Sequence, residues 1–96
     1  MKLYHPTTEQ QEAHIRRRGF MDTIIPIAND SAGRLVVRWG VGFANTRNGP
    51  DGHCWVEVEI PDEFAVLFED SDPGADVRYF YVPAALATYY LRKQGE

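Results

Sequence analysis

Hydrophobic and polar positions alternate most cleanly over residues 54–60, with Cys54, Val56, Val58 and Ile60 on one side and Trp55, Glu57 and Glu59 on the other. Such period-two alternation predicts a strand buried on one face and wet on the other. Pro61 ends it, and Asp62 is placed to cap a short helical turn reaching Phe68. Residues 34–39 alternate in the same way, with Leu35, Val37 and Trp39 sharing a face, and residues 40–44 read as a second strand interrupted by glycine. Val-Arg-Tyr-Phe-Tyr-Val, residues 77–82, has high strand propensity throughout. Residues 2–5 read as a short first strand from which Pro6 forces a turn.

Helical signals are fewer. Thr7 and Thr8 each precede a glutamine by three residues, the spacing of a capping box, and predict a helix running to Arg18. Gly19 supplies its stop, and Arg16, Arg17 and Arg18 complement the negative end of the dipole. The apolar stripe of this helix is thin, which suits a helix covering a sheet. Pro83 opens a closing helix over residues 84–93, and Pro26, Asn29, Asp30 and Gly33 mark residues 26–33 as loop. The order strand, helix, several strands, short helix predicts one α+β domain over residues 1–96, built on a small antiparallel or mixed sheet. The strand ending at His5 is expected beside the 77–82 strand.

Composition narrows the class. The 96 residues are 44% hydrophobic and 12% aromatic, enough to form a core without metal or disulfide staples. A single cysteine, Cys54, excludes an internal disulfide and fits a reducing, cytoplasmic setting. The first residues have no signal-peptide h-region, and no stretch matches a membrane span. The net charge of −4 is unevenly spread: residues 1–50 hold seven basic against four acidic residues, and residues 51–96 hold three against ten. Nine acids and no Lys or Arg fall between Asp51 and Asp76, which argues against a broad nucleic-acid surface. That stretch is expected to be a solvated edge.

The chemistry-bearing residues do not follow metal-site spacing, and no metal is expected. His53 and Cys54 are neighbours pointing to opposite faces, and Cys-x-x-Cys, His-x-x-x-His and His-Glu-x-x-His are all missing. Cys54 reads as a buried structural thiol. His5, at a strand end beside Thr7 and Thr8, offers ring nitrogens close to a helix N-terminus, although spacing alone favours a residue that only braces the turn.

Leu3-Tyr4-His5-Pro6-Thr7-Thr8, followed by Ile15, Gly19 and Phe20, resembles the opening of the ADP-ribosyltransferase-like superfamily, in which a strand ending in His-x-Thr or His-x-Ser leads into a helix closed by Gly-hydrophobic. Gly40-Val41-Gly42-Phe43-Ala44-Asn45 is similar to the second motif of that superfamily, residues 55–60 to the strand that follows, and Tyr79-Phe80-Tyr81-Val82 with Leu86, Tyr90 and Leu91 to the last motif. The resemblance covers most of the chain in order. It implies NAD as cofactor, with His5 holding a ribose, Thr7 as its hydroxyl companion, and Gly42, beside Phe43, where the family stacks an aromatic ring on nicotinamide. Tyr79 stands where the family has its catalytic glutamate. A neutral tyrosine cannot supply a carboxylate's charge to an oxocarbenium-like transition state. Glu57 and Glu59 are the possible substitutes on the polar strand face.

Three functions follow as expectations. The first is an ADP-ribosyltransferase-like domain that binds NAD or a related nucleotide with weak or absent transfer to a protein acceptor. The second is a noncatalytic interaction module meeting a protein partner through exposed aromatics such as Trp55, Tyr81 and Tyr89. The third, RNA 2'-phosphotransfer, needs Arg16, Arg38, Arg47 and Arg78 to converge on the cleft.

Overall fold

The computed structural model describes residues 1–29, 32–47, 54–71 and 74–95. Its elements are β1 (Lys2–Thr7), α1 (Glu9–Arg18), β2 (Thr23–Asn29), β3 (Leu35–Ala44), β4 (Cys54–Glu59), α2 (Asp62–Ala65) continuing into a 3-10 turn (Val66–Phe68), β5 (Tyr79–Val82) and α3 (Ala84–Gln94). Among the described residues all strand pairings are antiparallel, in a five-stranded sheet. With three helices, the fold is α+β.

The strand order differs from the expectation in one respect that matters for the site. β1 lies between β4 and β3, and β5 pairs with β3. His5 is therefore one strand removed from β5, with β3 intervening. β3 is also one unbroken strand, ten residues long. Its first part, from Leu35 to Gly40, forms a hairpin with β2, and its last part, Val41 to Ala44, pairs with β5.

β2 is the element that the residue pattern concealed. Pro26 and Asn29 read as loop formers, yet both lie in the strand. The ladder shifts register between Pro26 and Ala28, so the proline sits beside a bulge, one of the few sheet positions that tolerate a missing donor. Pro6 likewise continues β1, paired with Trp55, instead of forcing a turn. Asp62 does not cap α2 with its side chain; Pro61 is the N-cap, and the Asp62 carboxylate lies 2.9 Å from the Met1 amino group. The last strand begins at Tyr79, two residues later than its propensity suggests.

One sheet face carries the core. Leu3, Val56, Val58, Phe80 and Val82 are fully buried there, with Val41 and Phe43 nearly so, under Ile15 of α1 and Ala84, Ala87 and Leu91 of α3. Thr8 caps α1 by accepting from the Gln11 amide at 3.2 Å. The segment 19–23 then binds the two helices together. Gly19 has φ 92°, the Phe20 amide donates to the Thr88 hydroxyl at 2.8 Å, and the Asp22 carboxylate accepts from the Ala84 amide at 2.8 Å. Asp22 thus serves the N-terminus of α3, which Pro83 cannot cap by itself.

Two strand edges are sealed by side chains or bridges. The Gln94 amide donates to the Glu57 carbonyl at 2.7 Å and accepts from the Glu59 amide at 2.9 Å, occupying the outer edge of β4 as a neighbouring strand would. Beside β5, Glu69 bridges to Phe80, the Asp70 amide donates to the Tyr79 carbonyl, and the Tyr79 amide donates to Ser71. Arg78 anchors this flank with two short hydrogen bonds to Glu69, at 2.8 and 2.6 Å.

Gly19 and Gly33 both have positive φ, but a Cβ on Gly19 would lie 2.7 Å from the Thr88 methyl, whereas one on Gly33 would meet nothing within 4 Å. Gly33→Ala is therefore expected to cost about 1 kcal/mol for backbone strain alone. Gly19→Ala adds overpacking of about 1–3 kcal/mol. Urea denaturation of the two variants measures the difference, and equal losses would contradict the close packing of α1 on α3.

Candidate functional site

The site originates in a rung that the sheet does not make. β1 and β3 pair at Tyr4 and Ala44. Continuing that antiparallel register, the next rung would join Pro6 to Gly42, and Pro6 has no N–H to donate. The Gly42 carbonyl instead receives the His5 ring, with Nδ1 2.7 Å from its oxygen. A carbonyl can only accept, so Nδ1 carries the proton and Nε2 presents a lone pair. Among the described residues, nothing hydrogen-bonds Nε2.

The His5 ring is held from below by Phe20 and Phe43, at centroid distances of 5.6 and 5.7 Å, and those two rings lie 5.5 Å from each other. Burial among these rings depresses the His5 pKa, with the Gly42 hydrogen bond opposing it. The imidazole is therefore neutral at neutral pH, and Nε2 is an acceptor for a ligand hydroxyl or amide.

His5 borders two cavities, each about 350 Å³. The inner one lies between β1, α1 and the 19–23 segment, and Thr7, Gln11, His14, Asp22 and Thr23 give it polar walls. The other opens on the sheet face that the helices leave bare. Gly42 and Ala44 form its floor, Pro6 and Trp55 one wall, and Tyr79 and Tyr81 the opposite wall. Gly42 matters to its depth, because a Cβ there would point toward Tyr81 and enter the cavity.

The sequence-predicted positions are distributed unevenly over this geometry. His5, Gly42, Phe43 and Tyr79 all border the aromatic cavity. Phe43 is only 2% exposed and its ring supports His5 from the core, so it does not replace a stacking ring at position 42. Thr7 borders the inner cavity. Glu57 and Glu59 border neither; Glu57 lies 3.6 Å from the Lys2 ammonium, and Glu59 3.1 Å from the Met1 amino group. Among the described residues no Asp or Glu lines the aromatic cavity. Trp55 and Tyr81, its other rings, were offered by the sequence only as exposed contact aromatics. Their signal was an aromatic alternating onto the wet face of a strand.

The remaining candidates lie elsewhere. Arg16 pairs with Glu12, Arg78 with Glu69, and Arg47 lies 5.4 Å from the Tyr4 ring centroid, so none of the three lines either cavity. The Arg38 side chain, Asp51 and His53 lie outside the described residues or side chains. Cys54 is half-buried, not buried as expected, because it opens β4 where the core cover thins. Partial burial and the Glu12 and Glu9 carboxylates hold its thiol pKa up, which disfavours the nucleophilic thiolate. Among the described residues no group of three His, Cys, Asp or Glu side chains is placed to hold a metal ion. No helix among them is long and apolar enough to cross a membrane. Comparison of the chain with protein families, curated proteins and solved structures gives no match.

The neutral His5 makes stability depend on pH in a definite direction. Its folded pKa lies below the ordinary value of 6.5, so the unfolded chain binds more protons between the two values. Its contribution is complete above about pH 6.5 and declines as pH falls below it, with a slope of at most about 1.4 kcal/mol per pH unit. Glu69, lowered by Arg78, acts in a separate window below its ordinary value of 4.5. Denaturation midpoints from pH 8 to 5 are expected to fall for the wild type and to flatten for His5→Gln. Parallel curves would show that another group titrates.

Proposed function

We propose that the chain is an ADP-ribosyltransferase-like domain whose cleft binds NAD or a related nucleotide through His5, with weak or absent transferase activity. The observation that carries this reading is the convergence of His5, Gly42 and Tyr79 on one cavity from neighbouring strands β1, β3 and β5. These three positions stand far apart in the chain and were singled out by motif order alone. The Nε2 lone pair suits a ribose hydroxyl, and the polar walls around Thr7 and Gln11 suit further hydroxyl or amide groups.

The same cavity gives the reason for slow chemistry. Tyr79 occupies the expected glutamate position, and Glu57 and Glu59 are engaged away from the cavity. Binding survives such a change because ground-state hydrogen bonds remain, whereas only interactions strengthened in the transition state raise the rate. The reading includes a reducing, cytoplasmic setting, supported by the lone thiol of Cys54.

A second reading, a noncatalytic module that meets a protein partner, is favoured by one specific observation. Ile24 and Trp39 face each other across the β2–β3 hairpin and are 54% and 64% exposed, with Met21 and Val37 exposed nearby. RNA 2'-phosphotransfer has less support, since Arg16, Arg47 and Arg78 do not converge on a cavity.

Calorimetric titration of NAD is expected to show binding by the wild type and roughly tenfold weaker binding by His5→Ala, the loss of one hydrogen bond of about 1.5 kcal/mol. Nicotinamide release is expected near background for the wild type and faster for Tyr79→Glu. Fast release by the wild type would refute impaired catalysis. Equal affinity for His5→Ala would refute the site, and absence of wild-type binding would favour the interaction module.

A further inference from the structure

The core face of the sheet outruns the helices that cover it. Along β3, Val37, Trp39, Val41 and Phe43 alternate onto one side. Val41 and Phe43 are buried in the core cluster with residues of α1 and α3, but Trp39 is 64% exposed and Val37 40%. Ile24, paired with Trp39 on the neighbouring strand, is 54% exposed, and Met21, just before β2, is 71% exposed. Here the sheet is two strands wide, because the first part of β3 pairs with β2 while its end pairs with β1 and β5. A two-stranded ribbon with an open apolar face is marginal in water until something packs on it.

We infer that this strip, centred on Ile24, Val37 and Trp39, is the contact surface of a two-fold homodimer in which the ribbon of each chain covers that of the other. The chemistry of the strip, its area and the helical layer beside it select a second copy as the occupant. None of the three side chains is charged, so the strip offers a foreign partner no polar register to read, whereas a two-fold axis sets the register by symmetry alone. Four side chains exposed to this degree, Met21 included, present on the order of 400 Å², a patch of the size that marks an interface. Two such patches face to face bury about 800 Å², less than the roughly 1,200 Å² of standard complexes and suited to a reversible dimer.

The fold leaves room for one arrangement. A second ribbon packed about 10 Å above the first continues the layer that α1 and α3 occupy over the rest of the face. Those helices obstruct a partner whose body lies over them. The two bodies therefore point away from each other, and each Trp39 meets its own copy near the axis. Trp39 and Gly42 alternate to opposite sides of β3, so the contact lies across the sheet from the aromatic cavity and is independent of what the cleft binds. The net charge of −4 makes two copies repel, and salt strengthens their association by screening, the reverse of its effect on a contact held by ion pairs.

Sedimentation velocity over a concentration series tests the inference. The wild type is expected to pass from monomer to dimer with a dissociation constant on the order of 10–100 μM, as suits a contact of this size. The dimer is expected to tighten as NaCl is raised from about 0.05 to 0.5 M. Trp39→Lys and Ile24→Lys are expected to weaken it at least about tenfold while circular dichroism shows the fold intact. Both replacements also reduce the repulsion between copies, so weaker association has to come from the strip itself. Leu67→Lys, at an apolar side chain 69% exposed on the 3-10 turn, is expected to leave the dimer unchanged. In a Trp55→Phe background Trp39 is the sole tryptophan, and its emission is expected to shift to the blue over the same concentration range. A wild type monomeric throughout the series would overturn the inference and leave the strip to a different protein. A dimer indifferent to Trp39→Lys, one weakened equally by Leu67→Lys, or Trp39 emission that stays constant as the dimer forms would overturn it too.

Discussion

The missing donor at Pro6 is the constraint on which the site depends. Antiparallel sheets close by exchanging N–H and C=O groups rung by rung, and a proline on the inner side of a strand removes one exchange. The unpaired Gly42 carbonyl would be costly if left without a partner. His5 supplies the donor from its ring, and in doing so fixes its own tautomer and its place between β1 and β3. One substitution of side chain for backbone thereby links two strands and positions an acceptor nitrogen on a residue that borders two cavities.

The surrounding packing makes that arrangement rigid. Phe20 and Phe43 support the ring from beneath, and Phe20 is itself placed by its amide bond to Thr88 of α3. The 19–23 segment therefore transmits the position of the last helix to the first strand. Because Asp22 serves the N-terminus of α3 while bordering the inner cavity, its carboxylate is committed to structure and leaves the polar wall to Thr7, Gln11, His14 and Thr23.

Much of this was legible in the residues, and the failures have physical causes. The alternation of β4, the Thr8 cap, the Gly19 stop and the start of α3 at Pro83 depend on local chemistry and read directly from neighbours in the chain. β2 was hidden because Pro26 is compatible with a strand only beside a bulge, which is a property of the pairing and not of the segment. Pro6 misled for a related reason: it ends a ladder on one side of β1 while the other side continues through Thr7. For the site, motif order brought out His5, Gly42 and Tyr79, but Trp55 and Tyr81 belong to the cavity through strand adjacency. Glu57 and Glu59 show the opposite error. Alternation put them on the correct face, yet the chain's own cations occupy them farther along it.

The side chain of Gln94 has a consequence for how this molecule can meet others. Open strand edges recruit further strands, and proteins that leave them bare risk edge-to-edge aggregation. Here the amide of Gln94 imitates a peptide group along Glu57–Glu59, the chain at Glu69–Ser71 guards β5, and Pro26 takes one backbone donor out of β2. With growth of the sheet discouraged on these borders, association is channelled toward surfaces recognised by shape and side chain. The bare aromatic face can then stay accessible without the domain polymerising through its backbone.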